Sequence, residues 1–256
     1  MLDNRNNSAF FEKKFTLRYF ETDETAVASP ETILTLLEET AAEHCNTIGY
    51  DLYRLVSEGI GWVLIGGYLK MYRYPKYNEV IIIKTWLSKY TSVKGFRENI
   101  IYDSLGNIIG RARGLWIFFD IENRRPKRIY EAIKNAWSFD NSLCLDYDIS
   151  KKINPITISD YNKEFRVNRY DTDMNKHVNN IRYLQWVMES IPEDIIASYY
   201  LESVDGRFIT EAYYSDVILS LTLAQEDSAS KMFSHTIRVK GNNQVCATAH
   251  TVWKRK

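Results

Sequence analysis

Residues 15–39 read FTLRYFETDETAVASPETILTLLEE, and residues 165–189 read FRVNRYDTDMNKHVNNIRYLQWVME. Laid together at a shift of 150, without a gap, they share Phe15/Phe165, Thr22/Thr172, Asp23/Asp173, Leu34/Leu184 and Glu39/Glu189. A second ungapped shift, of 137, lays residues 70–116 on 207–253. It pairs Tyr77/Tyr214, Val80/Val217, Ile81/Ile218, Thr85/Thr222, Phe96/Phe233, Ala112/Ala249 and Trp116/Trp253, among others. Two ordered blocks in the same order point to an internal duplication, which sets the reading of everything between them.

Each copy opens with a strand and a polar turn and then enters a helix. In the first copy Ser29 is placed to cap and Pro30 to start the helix. Ile33, Leu36, Leu37, Ala41, His44, Cys45 and Ile48 recur at helical spacing until Gly49, so one apolar stripe faces a core. The following segments, WVLIGGYLKMYRY, NEVIIIKTWLSKY, KGFRENIIYDS and IIGRARGLWIFFD, are rich in β-branched and aromatic residues and broken by turns such as Gly106-Asn107. The second copy repeats this with a helix from about Asn180 to Ser190, stopped by Pro192, and with FITEAYYSDVILSLTLAQ, MFSHTIRVK and VCATAHTVWKRK as strands. The fold expected is α+β: two tandem repeats, each a long helix wrapped by a curved antiparallel sheet. The boundaries read are 1–122 for the first repeat, 123–162 for a linker crossing the sheet, and 163–256 for the second. The linker run Arg124-Arg125-Pro126-Lys127-Arg128 can dock an acidic partner or stand as a solvated loop.

Composition narrows the classes. The 256 residues are 45% hydrophobic, 26% charged and 14% aromatic, with 33 basic and 33 acidic side chains. No global field attracts nucleic acid, and no apolar run reaches the roughly 18 residues of a membrane span. The N-terminal residues MLDNRNNSAFFEKKF contain Asp3 and Glu12 and no apolar signal core, so a cytoplasmic location is expected. Cys45, Cys144 and Cys246 form no CxxC pair and have no His at ligand spacing, so neither disulfides, nor a metal, nor a cofactor is expected.

The chemistry gathers in RYDTDMNKHVNNIRYLQW, residues 169–186. Asp173, Asn175 and His177 alternate on a turn just before a helix, where alternation points side chains one way and the first helical turn offers free N–H groups. Read alone, Asp173 and the Asn179-Asn180 pair can equally be caps and His177 a surface residue. The duplication favours chemistry. Asp23 stands opposite Asp173, but Thr25 stands opposite Asn175, Val27 opposite His177, and Tyr74 opposite Glu211, which lies in a β-rich segment and is a candidate general base. Of the remaining histidines, His44 falls on the helix stripe and His235 and His250 on strands, as structural residues. Trp62, Trp86, Trp116 and Trp253 read as core.

DMNKHVNN followed by Glu211, 36 residues after Asn175, resembles the acyl-acyl carrier protein thioesterase family. So do the strand-turn-helix at 14–48, GWVL at 61–64, RYPKYNEV at 73–80 and RRPKRI at 124–129, which extends the resemblance over about the whole chain. The resemblance implies a double hotdog fold with catalysis in the C-terminal half and the acyl pocket in the N-terminal half. It also implies Asp173, Asn175, His177 and Glu211 as the catalytic set, acyl carrier protein bearing an acyl chain as the partner, and release of free fatty acid as the reaction. Many plant members carry a cysteine directly after the glutamate. This chain has Ala212 there, which leaves direct attack by water. Three alternatives remain: an acyl-coenzyme A thioesterase; an enoyl-thioester hydratase, whose Asp-x-Asn-Pro-x-His spacing differs from the one here; and a non-catalytic acyl-binding protein. A duplicated hotdog pairs internally, so a monomer or a homodimer is expected.

Overall fold

The computed structural model describes residues 9–173, 177–225 and 230–256. They fall into two compact units. Unit 1 runs to Leu64 and resumes over Tyr72–Tyr147, and unit 2 comprises Ile65–Met71 and Asp148–Lys256.

Unit 1 begins with strand β1 (Phe10–Thr16) and a single 3-10 turn, Tyr19–Glu21. Helix α1 (Pro30–Thr47) follows, capped by the Ser29 side chain on the Thr32 N–H at 3.2 Å and ended by Gly49 at φ +74°. Its buried stripe of Ile33, Leu36, Leu37, Ala41 and His44 is the one the spacing predicts. Helix α2 (Leu52–Ser57) leads to strand β2 (Ile60–Met71), whose residues from Ile65 onward belong to unit 2. Strands β3 (Val80–Tyr90), β4 (Lys94–Asp103) and β5 (Ile108–Asp120) form an antiparallel meander with β1 on its outer edge, in the order β1-β3-β4-β5.

The basic run lies at the end of β5. Arg124, at φ +50°, turns the chain so that β6 (Arg125–Pro126) pairs back on Asp120 and Phe119, and Lys127 Nζ sits 3.9 Å from Asp120 Oδ2. The segment after it is partly core. Helix α3 (Glu131–Ala136) buries Ile133, and with Ile129 and Trp137 it joins Tyr50, Leu55, Ile60, Leu87 and Phe118 in one apolar cluster. Ser142, Cys144 and Tyr147 then offer their carbonyls to Trp86, Arg111 and Arg113.

Along β4 buried and half-buried residues alternate except at Arg97, Glu98 and Asn99, which are buried in succession, and the first two carry opposite charges. Arg97 is 5% exposed and reaches His44 Nδ1 (3.0 Å) and Thr85 Oγ1 (3.1 Å). Glu98, fully buried, accepts from Ser88 Oγ and Arg113 Nε, each at 2.7 Å.

Unit 2 repeats the plan with β7 (Tyr161–Arg166), a 3-10 turn at Arg169–Asp171, helix α4 (Asn180–Met188), short helix α5 (Glu193–Ser198), and strands β8 (Tyr199–Phe208), β9 (Val217–Gln225), β10 (Lys231–Val239) and β11 (Val245–Arg255). Its strand order, β8-β11-β10-β9-β7, matches β2-β5-β4-β3-β1. Gly66–Lys70 of β2 pair antiparallel with Arg207–Ser203 of β8. The core of unit 2 gathers Val167, Val178, Tyr183, Trp186, Val187, Ile218 and Ile237.

The duplication holds bond by bond. Bridges Thr22–Ala28 and Val27–Lys76 recur as Thr172–Val178 and His177–Tyr213. Leu17 N–H donates to Glu79 O (3.0 Å) as Val167 does to Asp216 O (2.9 Å), and Asp23 N–H to Val27 O (2.8 Å) as Asp173 does to His177 O (2.9 Å). The left-handed turn residue Asn78 (φ +62°) recurs as Ser215 (φ +74°).

Candidate functional site

In unit 2 the turn after β7 is built in layers. Asp171 Oδ2 accepts from Asn168 N–H (2.7 Å), and the Asp171 carbonyl accepts from Asn179 N–H (2.9 Å). Asn179 caps α4 through Oδ1 on Ile181 N–H (2.9 Å). Between these anchors, Asp173 N–H closes on the His177 carbonyl, and the buried Val178 donates its N–H to Ala212 O at 3.0 Å. That last bond ties the turn to the segment 209–216. The sequence suggests a strand there, but β8 ends at Phe208 and β9 begins at Val217, so Glu211 stands on a connection. Ser215 supplies the positive φ that turns this connection back, and Tyr213 N–H donates to Asp216 Oδ2 (2.9 Å).

These two loops bring His177 and Glu211 together. His177 Nδ1 lies 3.2 Å from Glu211 Oε1, with side chains 20% and 32% exposed, so the pair meets water without being dissolved in it. The second oxygen of Glu211 is also engaged: the Tyr213 hydroxyl donates to Oε2 at 3.0 Å. The Tyr213 ring stands edge-on to His177, centroids 5.3 Å apart at 88°. The Glu211 carbonyl accepts from Gln244 Nε2 (3.3 Å). Tyr213 is the contributor that the sequence reading missed. Its signal was present, since it lies two residues beyond Glu211 and opposite Lys76 in the first copy, a change of the same kind as Val27 to His177.

Asp173 sits at the base of the turn through its backbone bond to His177. Its counterpart shows what a carboxylate does there: Asp23 Oδ1 accepts from the N–H groups of Thr25 (2.8 Å) and Val27 (3.2 Å) and from Thr25 Oγ1 (2.6 Å). Asn175 lies outside the described residues.

Other nucleophiles are disarmed. Burial pushes the Cys45 and Cys246 thiols up and the Cys144 thiol up to about 12, so none is a thiolate near neutral pH. Ala212 is fully buried in the core of unit 2, its N–H donating to the Tyr183 hydroxyl at 3.1 Å. The residue after Glu211 therefore faces away from solvent. His44 and His235 are each held by burial down to about 3, and His235 has both ring nitrogens on threonine hydroxyls, Thr222 at 2.9 Å and Thr251 at 2.8 Å. Among the described residues no cluster of three or more His, Cys, Asp or Glu could hold a metal ion, and no helix is long and apolar enough to cross a membrane.

Two family models match the chain. The acyl-ACP thioesterase N-terminal domain covers residues 8–137 and the acyl-ACP thioesterase C-terminal domain covers residues 156–255. The oleoyl-acyl carrier protein thioesterase 1, chloroplastic, of Arabidopsis thaliana is 27% identical over 96% of this chain and 76% of its own length. Among solved structures, a 12:0-ACP thioesterase from Umbellularia californica superposes with a TM-score of 0.87 at 22% identity, covering 98% of this chain and 95% of the other. An acyl-ACP thioesterase from Bacteroides thetaiotaomicron does so with a TM-score of 0.83 at 18% identity, covering 96% and 98%. The fold is thus the double hotdog, with a helix and its wrapping sheet in each unit.

Proposed function

This chain belongs to the acyl-acyl carrier protein thioesterase family, and from that membership we propose that it hydrolyses the thioester of fatty acyl-acyl carrier protein through Asp173, Asn175, His177 and Glu211. The observation that carries the residue assignment is the 3.2 Å approach of His177 Nδ1 to Glu211 Oε1, in the one unit where the duplicated turn has exchanged Val and Tyr for these two.

Glu211, held by His177 and Tyr213 on its two oxygens, is the carboxylate that accepts a proton from a water. That water's oxygen bonds to the thioester carbonyl carbon, and the carbonyl electron pair moves onto oxygen. Asn175 and N–H groups near the start of α4 hold this oxyanion. Collapse breaks the C–S bond, and the proton held by the Glu211–His177 pair passes to the departing thiolate. Asp173 positions the turn as Asp23 does in the twin. Unit 1, without such a pair, holds the acyl chain. A cytoplasmic setting belongs to the same proposal and is supported by three free cysteines, which fit a reducing compartment.

The test is thiol release from matched acyl groups on acyl carrier protein and on coenzyme A, using the purified protein. The proposal expects release from both with a marked preference for the carrier protein. Equal or reversed rates would move the assignment to acyl-coenzyme A, and hydration of an enoyl thioester without thiol release would replace hydrolysis altogether.

A further inference from the structure

The duplicated turns differ in one more respect. Arg169 opens the 3-10 turn that leads into the His177 loop, where unit 1 has Tyr19. Its guanidinium carbon lies 4.7 Å from the centre of the Tyr214 ring, the side chain is exposed, and among the described residues no carboxylate pairs with it. The matching region of unit 1 treats its arginines differently. Arg18 is neutralised by Glu21 at 2.5 Å and Arg73 by Glu79 at 2.6 Å. Tyr214, half exposed, is the chain neighbour of Tyr213, which touches both His177 and Glu211, so the ring that carries the cation stands on the same 209–216 connection as Glu211. A guanidinium braced on an aromatic face with its remaining donors toward solvent is suited to an anion with several oxygens, since the fork is pre-ordered and no carboxylate among the described residues competes for it.

We propose that Arg169, steadied by Tyr214, receives the phosphate that heads the pantetheine arm of the thioester substrate. The inference rests on the hydrolase reading and adds to it a subsite for the arm. The phosphate is common to the carrier protein, where it is a diester to a serine, and to coenzyme A, where it is part of a pyrophosphate, so the chemistry can be separated from its source.

The experiment compares kcat/KM for one acyl group on acyl carrier protein, on coenzyme A and on pantetheine, which lacks the phosphate, for the wild type and for Arg169→Ala and Arg169→Lys. The carrier-to-pantetheine and coenzyme A-to-pantetheine ratios should each fall about tenfold in Arg169→Ala, through KM, with part of the loss recovered in Arg169→Lys. In the wild type both ratios should shrink as salt is raised, and in Arg169→Ala they should respond less. A proportional loss on all three substrates would overturn the subsite, because the arginine would then be acting on the turn. Loss on acyl carrier protein alone would overturn it too, assigning Arg169 to the carrier's protein surface. Failure of the wild type to release thiol from any of the three would overturn the hydrolase reading together with the subsite.

Discussion

Acid should unfold this protein earlier than its carboxylates alone would dictate. His44 and His235 are 3% and 1% exposed, and burial, aided by Arg97 beside His44 and by His250 near His235, holds each down to about 3. The unfolded chain protonates both near pH 6.5. The native state thus binds fewer protons than the unfolded one between these limits, so stability is intact above pH 6.5 and falls as pH drops, until the native histidines also titrate. Each histidine is worth about 1.6 kcal/mol between pH 6.5 and 5.0, so the two together remove about 3 kcal/mol over that window, a large part of a typical domain's margin. Carboxylates with depressed values lose their contribution lower down. Asp103, held at about 2 by Asn107 and Arg73, is one. Urea titrations at several pH values between 7.5 and 5.0, read by tryptophan fluorescence, would give the slope. His235→Gln, which can still bond Thr222 and Thr251, should roughly halve it. A flat profile from pH 7 to 5, or a slope that His235→Gln leaves unchanged, would refute the claim that these histidines are buried and neutral.

Three further outcomes are expected. Glu98→Ala should destabilise unit 1 by about 3 kcal/mol or more, because it leaves Arg113 and Ser88 facing an apolar gap, as a shift of the urea midpoint would register. Tyr213→Phe keeps the ring beside His177 but removes the donor to Glu211 Oε2; kcat should drop roughly threefold to tenfold, the net worth of one hydrogen bond, with the thermal midpoint unmoved. Asn175→Ala should lower kcat by at least tenfold in a steady-state thiol-release assay, as expected for loss of an oxyanion donor, with KM little changed.

The fold was legible because the two shifts of 150 and 137 align backbone bonds as well as letters. The turn containing Asp23 and Val27 and the one containing Asp173 and His177 close with the same hydrogen bonds. Helix α1 was readable from Ser29, Pro30 and Gly49, each of which has a single local job. Strand β8 was not. Its sequence YYLESVDGRF breaks the apolar pattern with Asp205 and Arg207, which are nonetheless buried at 5% and 8% because they bond each other at 2.5 Å and Arg207 also reaches the Lys151 carbonyl. Charge written in a sequence does not say whether its partner lies two residues away or in solvent. The same ambiguity hid Arg97 and Glu98 within β4, where they and Asn99 are buried in succession and the alternation lapses. At the site, the twin-to-twin comparison singled out His177 and Glu211 and also held Tyr213 and Arg169. The last two were passed over because an exposed Tyr or Arg carries no signal until its neighbours are known.

The central claim is that His177 and Glu211 work as one proton-handling unit, and a double-mutant cycle on single-turnover thiol release from acyl-acyl carrier protein tests it most directly. Glu211→Gln and His177→Ala should each slow the chemical step on the order of a hundredfold or more, with the double variant little slower than the worse single one, because either change disables the pair. Near-normal turnover in Glu211→Gln, or losses that multiply in the double variant, would contradict it.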